Sequence, residues 1–210
     1  MTERQDKALT AAEVTMLEGL LAKVSGSGGD LPWPLFRFVT EVAATSNIDL
    51  LVRDADAGVL LAWRDDPFGT GWHVPGSIIR HREEIGHRIA ACAREEFGCD
   101  VAVTGGVVAV VQIFDDRGHS VSLCYPARLC GEPGRRVLAA GEVPRAGDLR
   151  WFATCPDHLY PSHGVYREVL AALAGGMPGE GAPLFTQHVG RRDAASASPK
   201  GWIDPDVALA

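Results

Sequence analysis

Residues 72–100 constrain the chain more than any other stretch: W-H-V-P-G-S-I-I-R-H-R-E-E-I-G-H-R-I-A-A-C-A-R-E-E-F-G-C-D. A short apolar segment ends at Pro75-Gly76, a loop leads to Glu83, and an amphipathic run closes on Glu95-Glu96-Phe97-Gly98. Ile85, Ile89, Cys92, Ala93 and Phe97 recur at helical spacing, which predicts a helix over about 84–97. Gly98 fits as its stop, because a glycine tolerates the left-handed turn that ends a helix. Two carboxylates in the last turn are the odd feature. That end of a helix already carries partial negative charge, so Glu95 and Glu96 sit there at a cost that a bound cation would remove. Taken alone, such a pair also reads as nothing more than a solvated helix end.

The remaining elements are short and of mixed type. Residues 1–24 hold a helical pattern with Thr10 and Glu13 placed as a capping box, and 25–29 form a Gly/Ser break. Trp33 to Phe38 lead into a buried strand at 48–52. A turn at 54–58 and a returning strand at 59–64 complete a hairpin. After a loop at 65–71 comes the strand at 72–74. Beyond the helix, 101–113 is rich in β-branched residues but broken at Gly105-Gly106. The segment 115–118 is a turn, 121–129 a strand carrying Pro126, 149–152 a short strand and 164–173 a helix. From 174 onward Gly, Pro, Ser and Ala dominate, which predicts an extended tail ordered against a partner. The organisation expected is an N-terminal helix and linker (1–30), one α+β domain (31–173) and a tail (174–210). Its core is an α/β/α sandwich in which a mixed sheet is covered by the 84–97 and 164–173 helices.

Charge narrows the function. Twenty basic against 27 acidic residues give a net charge of −7, which excludes nonspecific nucleic-acid binding, since that needs a basic surface. A small anionic ligand held by a local arginine and a metal remains compatible. Five cysteines without zinc-type spacing read as free thiols in a reducing compartment. With no signal region and no long apolar run, the expectation is a cytoplasmic protein without a membrane segment.

The order strand, Pro-Gly, loop, Glu, helix, Glu-Glu-x-Gly resembles the Nudix box, G-x5-E-x7-R-E-U-x-E-E-x-G-U with U aliphatic. Glu83, Glu95, Glu96 and Gly98 match it. Ser77 stands at the box glycine, preceded by Gly76, and Ala91-Cys92 replace Arg-Glu. The flanks are similar to the GDP-mannose mannosyl hydrolase branch: Asp49 in I-D-L-L-V, Arg64 in L-A-W-R, W-x-V-P-G at 72–76 and D-L-R-W at 148–151. The resemblance spans about 31–173 and implies a Nudix-like sandwich that hydrolyses a nucleoside diphosphate sugar or a related derivative with Mg2+ or Mn2+, as a homodimer. It implies Gly76 (through its carbonyl), Glu83, Glu95 and Glu96 as metal ligands, and Asp49 and Arg64 as catalytic and substrate-binding residues. Arg64 would meet the diphosphate, for which a planar guanidinium is suited. The branch also carries Arg where Ile78 stands, and Gln-His where Arg145-Ala146 stand, so its general base is missing here. His119 is the candidate replacement, with Glu142 as another, and Arg88 stands in for the box arginine. The alternative expectation is a non-catalytic binding or regulatory protein on the same fold. In a third, only the fold and the tail serve, in an interaction protein.

Overall fold

The computed structural model describes residues 8–25, 31–174 and 181–189. Helix α1 (Ala11–Val24) begins with the expected capping box: the Thr10 hydroxyl accepts from the Glu13 N–H, and the Glu13 carboxylate accepts from the Thr10 N–H at 2.7 Å. It buries no residue; Met16 and Leu21 are more than half exposed. The segment expected only to lead in is a second helix, α2 (Trp33–Val42). Pro34 does not prevent this, because a proline in the first turn lacks only an N–H that would have no helical partner. The expected break at 25–29 lies, from residue 26, outside the described residues.

Strands β1 (Thr45–Asp54) and β2 (Gly58–Asp66) meet as the expected hairpin at Asp54↔Gly58. Asp54 stabilises the turn, its Oδ1 accepting from the N–H groups of Asp56 and Ala57. The presumed 65–71 loop is mostly strand: β2 runs through Asp66, and β3 (Gly69–His73) returns beside it. Residues 76–78, expected as loop, form β4 (Gly76–Ile78), which pairs antiparallel with β1 so that Asp49 faces Gly76. Helix α3 (Ile85–Phe97) lies where expected and ends on Gly98 at φ 71°. A side chain at Gly98 would also meet the Gly134 backbone at 2.7 Å.

The region 101–113 breaks over residues 104–108, at the expected Gly105-Gly106, into β5 (Val101–Val103) and β6 (Ala109–Asp115), which pair with different parts of β7 (Gly118–Leu129). β7 in turn runs parallel to β1, with Asp49 opposite Cys124. β8 (Leu149–Phe152) joins the free side of β2. A 3-10 turn (Pro161–His163) precedes α4 (Tyr166–Ala174). The tail corrects its expectation in part. Residues 184–188 are a strand, β9 (Leu184–His188), parallel to β6 and holding the edge of the sheet within the chain itself. Its five residues are too few for a periodic signal, and the pairing is tertiary. Residues 190–210 lie outside the described residues.

The sheet path is β3-β2-β1-β7-β6-β9, with mixed parallel and antiparallel neighbours. Alternation along β1 and β2 splits the core in two. Ile48, Leu50, Val52, Leu60 and Ala62 pack on Cys92, Ala93 and Phe97 of α3. Leu51, Leu61, Val111 and Ile113 pack with Val165, Tyr166, Val169 and Leu173 around α4. This is an α+β sandwich, one helix over each face of a mixed sheet. Among the described residues no helix is long and apolar enough to cross a membrane, and all five cysteines are free.

Candidate functional site

Helix α3 turns a charged side chain inward. Arg88 is 1% exposed, two turns before Glu95 on the same face, and its Nη2 donates to both Glu95 oxygens at 3.0 and 3.1 Å. Its Nε lies 3.9 Å from Glu83 Oε1. Glu83 is fixed in turn by the Arg80 N–H, which donates to its Oε2 at 2.9 Å. Arg88 thus orients two of the expected metal ligands, Glu83 and Glu95. Arg135 caps the same helix end, donating to the Glu95 carbonyl at 2.6 Å. The cost of Glu95 is therefore offset by arginines of the chain itself, without a cation.

Glu96 points elsewhere. Its Oε2 is 3.5 Å from Nε2 of His73, a residue of β3 that is 3% exposed. Burial raises the Glu96 pKa, but the neighbouring His73 and the charges of Arg64 and Arg135 prevail, so its carboxyl sits below the ordinary range. Burial, followed by the Arg64 charge, holds His73 below its ordinary value against the pull of Glu96 and of the Ala62 carbonyl. At neutral pH the pair is an imidazole facing a carboxylate. By the stricter geometry of a hydrogen bond, neither ring nitrogen of His73 has a partner among the described residues.

Arg64 projects from β2 into the same region. Its guanidinium lies 5.4 Å over the Tyr160 ring and its Nε 3.9 Å from Asp66, and its charge lowers the carboxyl pKa of both Asp49 and Glu96. Tyr160 is itself held by donating its hydroxyl to Asp66 at 2.8 Å. Asp49 lies beneath, 4% exposed. It accepts from the Tyr166 hydroxyl and interacts with Ser122, and burial pushes its carboxyl up to about 6. Gly76 allows this: a Cβ there would stand 1.9 Å from Asp49 Oδ1. His163 stacks on Tyr166 at 4.8 Å, and its Nδ1 accepts from the Val74 N–H at 3.3 Å.

Asp49, Arg64, Gly76, Glu95 and Glu96 thus gather around the carboxyl end of α3 and the β1–β4 pair. The expected four metal ligands do not form a side-chain cluster: Glu83 and Glu95 serve Arg88, and among the described residues no group of three His, Cys, Asp or Glu side chains converges. What fits a cation is narrower, namely the Glu96 carboxylate beside the unpartnered, buried His73. His119 needs correction. It sits at the end of the β6–β7 hairpin, stacked 4.3 Å from Phe114, with Nε2 2.8 Å from Gln112. Asp49 is opposite Cys124, five residues further along β7, or roughly 16 Å at strand rise. A turn position in sequence carries no such distance. Glu142 binds Arg136 and the Ala139 N–H in its own loop. The D-x-R-W segment serves structure, with Asp148 accepting from the Arg145 N–H and Arg150 lying 5.0 Å over Trp72. His73, Tyr160, His163 and Tyr166 were not foreseen. A histidine inside the otherwise apolar Trp72–Val74 strand was the one available signal.

No protein-family model and no curated protein matches the chain. Solved structures do. One is a NUDIX hydrolase from Nitrosomonas europaea, 16% identical, with TM-score 0.51 over 69% of this chain and 80% of that one. Another is a UDP-X diphosphatase, also 16% identical, with TM-score 0.50 over 82% of this chain and 85% of that one. At such identity the likeness establishes architecture, and this chain has the fold of the Nudix hydrolases.

Proposed function

We propose that this protein is a metal-dependent Nudix-type hydrolase of a nucleoside diphosphate sugar or a related nucleoside diphosphate derivative. One observation carries the reading: Arg64 stands within charge reach of an ionised Glu96 at the end of α3, while Arg88 holds Glu95 and Glu83 in place. A guanidinium is suited to bind the substrate's diphosphate, and Asp49, buried below, steadies Arg64 by its charge. Glu96 would hold Mg2+ or Mn2+, helped by the Gly76 carbonyl. The bound ion supplies charge neutralisation of the diphosphate and polarisation of its leaving group. The similar fold of a UDP-X diphosphatase agrees with a diphosphate substrate. The closeness of the flanks to GDP-mannose mannosyl hydrolase makes a sugar the first substituent to test. The same reading includes a homodimer, supported by the uncovered apolar residues of α1, and a reducing, cytoplasmic setting for the five free thiols.

A second reading has its own observation. Cys92 occupies the box position of a glutamate, and burial first, with the Glu96 charge next, pushes its thiol far above its ordinary value. A neutral thiol supplies neither base nor hard-cation ligand, which favours binding without turnover. Incubation of the chain with a panel of nucleoside diphosphate sugars, with and without Mg2+ or Mn2+, separates the readings. Metal-stimulated release of free sugar or phosphate, lost in Glu96→Gln, is the expected result; binding weakened by Arg64→Ala but no product would leave the second reading. Absence of binding to any nucleoside diphosphate overturns both. In 18O-water, label in the sugar marks attack at carbon and label in phosphate marks attack at phosphorus. Light scattering that finds a monomer at micromolar concentration removes the dimer.

A further inference from the structure

We propose that His73 is a metal ligand and that, paired with Glu96, it gives the site a preference for a borderline transition ion such as Zn2+ or Co2+ over Mg2+. The inference rests on the metal-dependent reading above and narrows the cation that site would take. His73 is 3% exposed and neither of its ring nitrogens is hydrogen-bonded among the described residues, although a buried polar atom without a partner is costly. Its Nε2 and Glu96 Oε2 are 3.5 Å apart. A charge-assisted N–H···O bond closes to about 2.7–2.9 Å, so this gap is too wide for a good one. Two donors each about 2.1 Å from a tetrahedral ion are themselves about 3.4 Å apart. The spacing suits a shared cation better than a shared proton.

The surroundings agree. His73 is held in register by the β2–β3 ladder, where it pairs with Ala62. One imidazole and one carboxylate form a mixed N/O donor pair. Mg2+ takes oxygen ligands almost alone, whereas later first-row ions gain from nitrogen. Two protein side chains leave coordination positions open, consistent with no third side-chain ligand converging among the described residues. Water or a substrate phosphate would fill them.

The test uses the full chain, stripped of metal and free of nucleotide, titrated with Zn2+, Co2+ and Mg2+ by calorimetry, with the Co2+ visible bands and the pulsed EPR of bound Mn2+ as spectroscopic readouts. Zn2+ and Co2+ should bind roughly tenfold or more tightly than Mg2+. His73→Gln should remove that margin and the directly bound nitrogen signal, while His119→Gln, distant on β7, should change neither. A margin that persists in folded His73→Gln overturns the proposal. Should His73→Gln fail to fold, the parent decides: a spectrum without a bound imidazole nitrogen, or one whose nitrogen survives Glu96→Gln, overturns it equally. Cation binding lost in Glu96→Gln but indifferent to His73→Gln keeps the hydrolase reading and removes His73. His73-dependent binding with no product from any nucleoside diphosphate does the reverse.

Discussion

Replacing Asp49 by Asn should stabilise the protein, and the gain should depend on pH. The carboxyl is fully enclosed, and burial moves its pKa from 3.8 to about 6 despite opposing contributions from Tyr166, Ser122 and Arg64. A folded-state value above the unfolded one means that the folded chain holds a proton over a range where the unfolded chain has released it. Between about pH 4 and pH 6 stability from this group therefore falls as pH rises, and above pH 6 the full penalty is present. The shift of about 2 units corresponds to about 3 kcal/mol at 1.36 kcal/mol per unit. Asn keeps the shape and an oxygen able to accept from the Tyr166 hydroxyl, so most of the penalty should vanish. Urea unfolding of both proteins at pH 4 to 8, with chelator present, measures the difference. The expected profile is near zero at pH 4, rising to as much as about 3 kcal/mol in favour of Asp49→Asn at pH 7–8. A difference that is flat with pH, or that grows toward acid, refutes the argument that burial dominates at this residue.

Three further outcomes follow from the packing. Gly76→Ala should cost about 1–3 kcal/mol, since its Cβ would stand 1.9 Å from Asp49 Oδ1 and 2.8 Å from the Ile48 carbonyl. Chemical denaturation should find that cost smaller in an Asp49→Ala background; strict additivity would deny the clash. Gln187→Ala removes the acceptor of the Val165 N–H and the donor to the Pro161 carbonyl, and should lower stability by about 1–3 kcal/mol; an unchanged Tm would mean that β9 does not hold the start of α4. Arg88→Met should be tolerated better than the double change Glu83→Ala/Glu95→Ala. The first leaves carboxylates that water can reach, whereas the second strands a buried guanidinium at a cost of about 3–5 kcal/mol. Thermal melts in the opposite order count against a buried, paired Arg88.

The parts of the fold that were legible are those whose pattern is local. The α3 stripe, the Gly98 stop, the Asp54 turn and the Thr10–Glu13 box each involve residues a few positions apart, and each is where the sequence placed it. The parts that were not depend on distant partners. β4 exists because β1 offers it an edge, and β9 because β6 does, and neither three nor five residues show a period of their own. The site divides in the same way. The expectations for Gly76 and Glu96 rest on spacing within one motif, and that for Arg64 on a hairpin, all short-range signals. His73 reads as one more residue of a buried strand until folding brings it to Glu96, 23 positions later, and only then is it a polar group without a partner. His119 failed for the converse reason: a turn is visible in sequence, but the length of β7 between that turn and Asp49 is not.

Under the proposed reading, Arg88 takes the place of an arginine that position 91 lacks. At about 100° per residue, position 88 lies about 20° from Glu95 around the helix and position 91 about 40° from it, so either can meet that carboxylate. An arginine at 91 reaches forward one turn. Arg88 reaches forward two, which its long side chain spans through the buried face, and from there it also approaches Glu83 before the helix begins. The second box position has no such substitute. Cys92, four residues before Glu96 on the same stripe, is packed into the core with Phe97, and a thiol there neither ionises nor binds a hard cation. Arg88 therefore orients Glu83 and Glu95, while Cys92 adds no carboxylate beside Glu96. The carboxylate that Arg88 leaves free, Glu96, is also the one that meets the His73 imidazole.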